Sequence, residues 1–259
     1  MINNNPIGLF DSGIGGTSIW REIHELLPSE ETIYLADSKN APYGQKTKEE
    51  IIHLSFKNTE FLLNLNAKII VVACNTATTN AIKELRAKYD VPFIGIEPAI
   101  KPAALNSQKK VIGILATQGT LNSSLFHETA KKFQDIKIIE QIGHGLVPLI
   151  ENGAISSIEM NKLLRDYLEP MIVANIDYLV LGCSHYPYLI PQIKKIIPPH
   201  IKIIDSGEAV ARQTKKILEE TVGLTSHLKN SNPLFYTNSN PTVLKAILKH
   251  PYQVIEKDF

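Results

Sequence analysis

Four consecutive β-branched apolar residues, Ile69–Val72, constrain this chain more than any other stretch. Such a run suits a strand buried on both faces, as in a parallel sheet covered by helices. It stops at Ala73-Cys74-Asn75-Thr76, and the pattern over 77–87 is helical. Cys74 is therefore expected at the carboxyl end of a buried strand, just before a helix amino terminus. In open α/β sheets ligands bind at that edge. The free N–H groups and dipole of the following helix favour a thiolate or a bound carboxylate there. The second cysteine repeats the arrangement, with Tyr178-Leu179-Val180-Leu181 leading into Gly182-Cys183-Ser184-His185-Tyr186-Pro187. These are the only two cysteines, and both end apolar strands in polar, hydroxyl-rich turns.

The rest of the chain alternates in the same way. Residues 7–10 (IGLF) form a strand entering Asp11-Ser12-Gly13-Ile14-Gly15-Gly16, and a helix follows over 17–27. That turn has neither GxGxxG spacing nor a GK[ST] element, so it argues against a nucleotide and for a tight turn bringing Asp11 and Ser12 to the Cys74 edge. A mere helix cap is the plainer alternative. Further strands are expected at 32–35, 92–96, 110–115, 137–141, 178–181, 201–204 and 234–236. Helices are expected at 47–65, 123–133, 157–174, 208–221 and 241–249, the first opened by a capping box, Thr47-Lys48-Glu49-Glu50. Residues 225–232 are polar and fit a surface connection. Strands alternating with helices predict parallel βαβ units with right-handed crossovers. The fold class expected is α/β: two similar lobes with mainly parallel sheets and an active site in the cleft between them.

Composition narrows the function. The formal net charge of +1 leaves no electrostatic footprint for nucleic acid. No run is long enough to span a membrane, and MINNNPIGLF lacks a basic segment followed by an apolar core, so no signal peptide is expected. Two cysteines without a secretion signal fit free thiols in a reducing cytoplasm. They lie too far apart in sequence for CxxC chemistry or a four-cysteine zinc site. Cys183 and His185 are ligand types, but nothing beside Cys74 completes a tetrahedral set, so no metal is expected.

Free cysteine usually just packs, and two of two at strand ends calls for more. One nucleophilic thiol, Cys183 with His185, leaves Cys74 unexplained. A symmetric use explains both. With a substrate between the lobes, one thiolate removes a proton from a carbon while the opposite thiol delivers one to the other face. Inversion at an acidic C–H carbon wants two like bases with opposed approaches, and thiols reach both protonation states near neutrality. Asn75, Thr76, Ser184 and Ser12 then supply uncharged hydrogen bonds to a carboxylate or ammonium, while Asp11 and His185 each tune a proton beside one thiol.

Four motifs, DSGIGG at 11–16, PYG at 42–44, ACNTAT at 73–78 and GCSHYP at 182–187, resemble in order those of the glutamate racemases of the cofactor-independent aspartate/glutamate racemase superfamily. The resemblance implies interconversion of L- and D-glutamate, supplying D-glutamate for peptidoglycan, with no cofactor. It implies Cys74 and Cys183 as the catalytic acid/bases, with Asp11 assisting Cys74, and Glu151 and His185 assisting Cys183. It places Asp11, Ser12, Tyr43, Gly44, Asn75, Thr76, Thr117, Ser184 and His185 against the substrate. It further implies a first lobe of residues 1–97 completed by 207–259, a second lobe of 98–206, and a homodimer. One departure is visible: Ser184 stands where the family usually has threonine. A racemase of aspartate or another acidic amino acid is the near alternative. A pyridoxal-phosphate racemase would need a Schiff-base lysine and a phosphate cup, and neither is evident. A two-lobed binding protein without catalysis is the remaining class.

Overall fold

A computed structural model of the protein describes residues 1–226 and 230–259, so part of the 225–232 connection (227–229) lies outside the described residues. The first lobe is laid down as β1 (Ile7–Asp11), α1 (Thr17–Leu26), β2 (Thr32–Ala36), α2 (Lys48–Asn64), β3 (Ile69–Val72), α3 (Asn75–Lys88) and β4 (Phe93–Gly95). The chain then crosses to the second lobe through α4 (Ile100–Asn106), β5 (Val111–Ala116), α5 (Gln118–Leu121), α6 (Ser124–Ala130), β6 (Lys137–Ile142), α7 (Leu146–Glu151), α8 (Ile158–Val173), β7 (Tyr178–Gly182), α9 (Ile190–Ile193) and β8 (Lys202–Ile204). It returns by α10 (Gly207–Ile217), β9 (Leu234–Thr237), α11 (Thr242–Leu248) and β10 (Gln253–Glu256).

Two sheets result. One has six strands in the order β10-β9-β2-β1-β3-β4, the other four in the order β6-β5-β7-β8, and every pairing is parallel. The expected two-lobed α/β fold holds. Both faces of β3 are buried, as its sequence requires: Ile70 and Val72 pack with Phe10 and Leu35 on one side, and Ile69 and Val71 with Leu9 and Tyr34 on the other. The core around Ile69 and Val71 continues into the second lobe through Leu115, Leu179 and Leu181, so the lobes share apolar contact. Among the described residues no helix is long and apolar enough to cross a membrane.

Register sets the working edge. Asp11 pairs with Ala36, Phe10 with Val72, and Ala116 with Gly182. The strands of each sheet therefore end level, placing Asp11, Asp37 and Cys74 on one carboxyl edge and Thr117 and Cys183 on the other. Some local expectations shift. The helix expected from 77 begins at Asn75, because Cys74 itself caps it. The helix at 123–133 ends at Ala130. Helix α4 and strand β10 have no counterpart in the sequence reading. The capping box forms as predicted: Glu50 N–H donates to Thr47 Oγ1 at 3.2 Å, and Thr47 N–H to Glu50 Oε2 at 2.7 Å.

Candidate active site

Cys74 closes the first turn of α3. The Ala77 N–H donates to its Sγ at 3.4 Å, and the thiol donates to Ser12 Oγ at 3.6 Å. It is 3% exposed. Burial pushes the thiol well above its ordinary range, and the charges of Asp11 and Cys183 push the same way. Cys74 thus rests as a protonated thiol.

Cys183 is 6% exposed and follows β7. Its Sγ lies 3.8 Å from His185 Nδ1. The other ring nitrogen of His185, Nε2, is 2.5 Å from Glu151 Oε1. Burial works against a protonated imidazole. Hydrogen bonds with Cys183 and Glu151 and the charge of Asp11 outweigh it, raising His185 well above the usual histidine range. The ring is an imidazolium at neutral pH, with a donor on each side. Glu151, at the end of α7, also accepts from Ile14 N–H at 2.7 Å and from Ser38 Oγ at 2.9 Å.

Asp11 is completely buried between the two cysteine turns. Its Oδ2 accepts from Gly13 and Gly16 N–H at 3.1 and 3.0 Å, and its Oδ1 from Ser184 Oγ at 3.0 Å. His185 Nδ1 is 4.0 Å from Oδ2. Burial raises the Asp11 carboxyl, and the positive His185 pulls it back. Its hydrogen bonds join it to the DSG turn and to Ser184; Cys74 feels it only through charge. The glycines of that turn are needed for space. A Cβ on Gly13 would fall 1.9 Å from Glu151 Oε1, and one on Gly15 2.1 Å from His185 Nδ1.

Three hydroxyls bridge the lobes. Thr76 Oγ1 is 2.8 Å from Thr117 Oγ1 and 3.3 Å from Thr120 Oγ1, and Thr117 Oγ1 donates to Thr120 Oγ1 at 3.0 Å. Asn75 is nearly fully buried, yet among the described residues neither its Nδ2 nor its Oδ1 has a partner. A buried amide without partners carries a desolvation cost, which a polar ligand group would offset. Gly44 packs directly against Thr117. Tyr43 does not point into the cleft: its hydroxyl donates to Asp37 Oδ2 and accepts from Asn58 Nδ2 at 3.1 Å, leaving only its peptide group for a ligand. Sequence reading missed Ser38, Asp37 and Thr120. Asp37 follows β2 as directly as Asp11 ends β1, a signal that was available.

The site is closed. A cavity of about 500 Å³ lined by Gly44, Lys46, Asn80 and Gly119, and a slot of about 30 Å³ lined by Gly44, Thr117 and Val147, reach neither thiol. Among the described residues no group of three or more His, Cys, Asp or Glu is arranged to hold a metal ion.

Two parallel-sheet α/β lobes, each with a buried thiol at its carboxyl edge, fall among the racemases by the similarities that follow. The chain belongs to the Asp/Glu/Hydantoin racemase family, which it matches over residues 7–214. It is 44% identical over 244 residues to a glutamate racemase of Ralstonia pickettii (strain 12J), covering 94% of this chain and 86% of that one. Among solved structures it is similar to the RacE1 isoform of glutamate racemase from Bacillus anthracis, with a TM-score of 0.89 and 30% identity over 99% of this chain and 98% of that one. It is also similar to glutamate racemase from Escherichia coli in complex with L-glutamate and the activator UDP-MurNAc-Ala, with a TM-score of 0.87 and 32% identity over 98% of each.

Proposed function

We propose that this enzyme interconverts L- and D-glutamate without a cofactor, using Cys74 and Cys183 as bases on opposite faces of the α-carbon. The observation that carries this reading is the pair of buried thiols, one on each sheet edge, with the buried, unpartnered Asn75 amide next in sequence to Cys74. Glutamate is the substrate named for the relatives above.

The geometry supports a division of labour. Cys74 rests protonated and delivers a proton. The His185 imidazolium donates through Nδ1 toward Cys183, stabilising negative charge that develops there. Glu151 fixes the ring through Nε2. Removing the α-proton on one side and adding one on the other exchanges the enantiomers, and the two thiols exchange roles for the reverse reaction. Substrate carboxylates take hydrogen bonds from the side chains of Asn75, Thr76 and Ser12 and from the backbone N–H groups of Tyr43, Gly44, Thr117 and Ser184. Asp11 holds Ser184 and the DSG turn in register.

Residues 1–97 with 207–259 and residues 98–206 are taken as the two units that separate to admit substrate. The six-stranded sheet draws its strands from 7–95 and 234–256, and the four-stranded sheet from 111–204. D-glutamate would serve peptidoglycan synthesis in the cytoplasm, where both thiols stay reduced. The homodimer that the sequence resemblance implies is part of the same proposal.

The test is circular dichroism of L-glutamate in D₂O with reduced protein and no added cofactor, followed by mass analysis. Loss of optical signal with one deuterium at the α-carbon is expected. An unchanged signal with active thiols would overturn the reading, and loss of signal with aspartate alone would reassign the substrate.

A further inference from the structure

Both thiols are nearly fully buried and line neither flanking cavity, so a ligand meets them only once the groups packed around them move apart. The contacts that break on opening are therefore as informative as the site itself. Two crossovers tie the lobes covalently, near 96–99 and 205–207, and Ser206 Oγ donates to the Glu97 carbonyl between them. Around the thiols the ties are hydrogen bonds: Thr76 to Thr117 and Thr120, Ser184 to Asp11, Ser18 to the Ser184 carbonyl, and two to the Glu151 carboxylate, the one ionisable second-lobe acceptor in this set. Glu151 belongs to the second lobe, yet both its oxygens accept from the first: Oε1 from Ile14 N–H at 2.7 Å and Oε2 from Ser38 Oγ at 2.9 Å. Its third bond, to His185, stays within the second lobe.

We infer that Ser38 is a positioning residue whose bond to Glu151 latches the lobes in the closed, reactive arrangement. This rests on the two-thiol reading above for its effect on catalysis, but not for its effect on closure. Opening strips Glu151 of both first-lobe donors and leaves its pair with His185 intact. Hydrogen bonds to an ionised acceptor are the stronger kind, so the latch biases the population toward the closed state. An enzyme whose competent state is less populated shows a correspondingly weaker apparent affinity. Ser38 begins the polar stretch 38–46 that also carries Tyr43 and Gly44. Asp37 anchors that stretch through Tyr43, Asn40, Asn58 and Asn238. Closing the latch therefore also seats Gly44 against Thr117.

The buried thiols report opening directly, since alkylation requires them exposed. In ligand-free protein, Ser38→Ala is expected to raise the iodoacetamide labelling rate of both Cys74 and Cys183 about tenfold, read by peptide mass spectrometry. Ser38→Thr, which keeps the hydroxyl, is expected to label at the wild-type rate. Where glutamate is racemised, Ser38→Ala raises KM for both enantiomers by a similar factor and lowers kcat by less than KM rises. Unchanged labelling of both thiols in a folded Ser38→Ala protein would overturn the latch. A raised labelling rate in a protein inactive on glutamate would uphold the latch and remove the substrate assignment instead.

Discussion

The two cysteine turns occupy equivalent places on two parallel sheets and are built differently. Cys74 is the N-cap of α3, with a backbone N–H and a serine hydroxyl as its neighbours and, among the described residues, no cation hydrogen-bonded to it. Cys183 enters a short 3₁₀ turn and has an imidazolium beside it, itself held by a carboxylate. A neutral cap in a buried setting favours the thiol. A protonated histidine can donate to developing negative charge. On the proposed two-thiol mechanism, the difference teaches that a chemically symmetric reaction does not require a symmetric site, only that each face offer both a donor and an acceptor state when the substrate is in place.

The strongest way to break the comparison is to remove either sulfur. Cys74→Ala and Cys183→Ala should each lower racemisation by at least about 10³-fold, because inversion needs both faces. With a β-leaving-group substrate each variant should still eliminate from one enantiomer, and opposite ones for the two variants. Wild-type racemisation rates in both would end the two-thiol account.

His185→Asn addresses the charged side. It should lower turnover about 10²-fold, and a melting series fixes the sign of its contribution to stability. The folded value for His185 is raised, so its stabilisation is full below the unfolded value near 6.5 and lost as pH rises through the folded one. The melting difference between wild type and variant should therefore be largest in acid and shrink in alkali. Asn75→Leu probes the uncharged side. KM should rise about 10- to 100-fold with the loss of hydrogen bonds to a charged ligand. The ligand-free melting temperature should hold or increase, since two unbonded polar atoms leave the interior. The smallest effect is expected for Ser184→Thr, which keeps the hydroxyl bonded to Asp11 and adds one methyl: kcat/KM should stay within about threefold.

Much of this was legible in the sequence because its signals are local. Ile69–Val72 announced a strand covered on both faces, and the polar turns after it and after Leu181 announced the edge. The DSG turn was readable as a tight approach, although the reason lies elsewhere in the chain: Glu151 and His185 fill the space where side chains on Gly13 and Gly15 would stand. The triplet Asp205-Ser206-Gly207 repeats the DSG of residues 11–13 and forms the same local bond, Gly207 N–H to Asp205 Oδ1 at 2.8 Å, as Gly13 makes to Asp11. What sequence concealed depends on long-range geometry. Strand β10 gains its order only by pairing with β9. Tyr43 carries a hydroxyl suited to a ligand, and Asp37 takes it. Ser38 is one of several polar loop residues until the second lobe brings Glu151 to it.

The most direct test of the central claim is the isotopic content of each enantiomer early in the reaction. L-Glutamate is turned over in D₂O to a few per cent conversion, and residual L- and newly formed D-glutamate are separated and weighed by mass spectrometry. Two opposed thiols predict D-glutamate carrying deuterium at the α-carbon while residual L-glutamate keeps its hydrogen. The converse should hold when the reaction starts from D-glutamate. D-glutamate that retains the original hydrogen, or deuterium entering both enantiomers equally from the outset, would point to a single base and contradict the account.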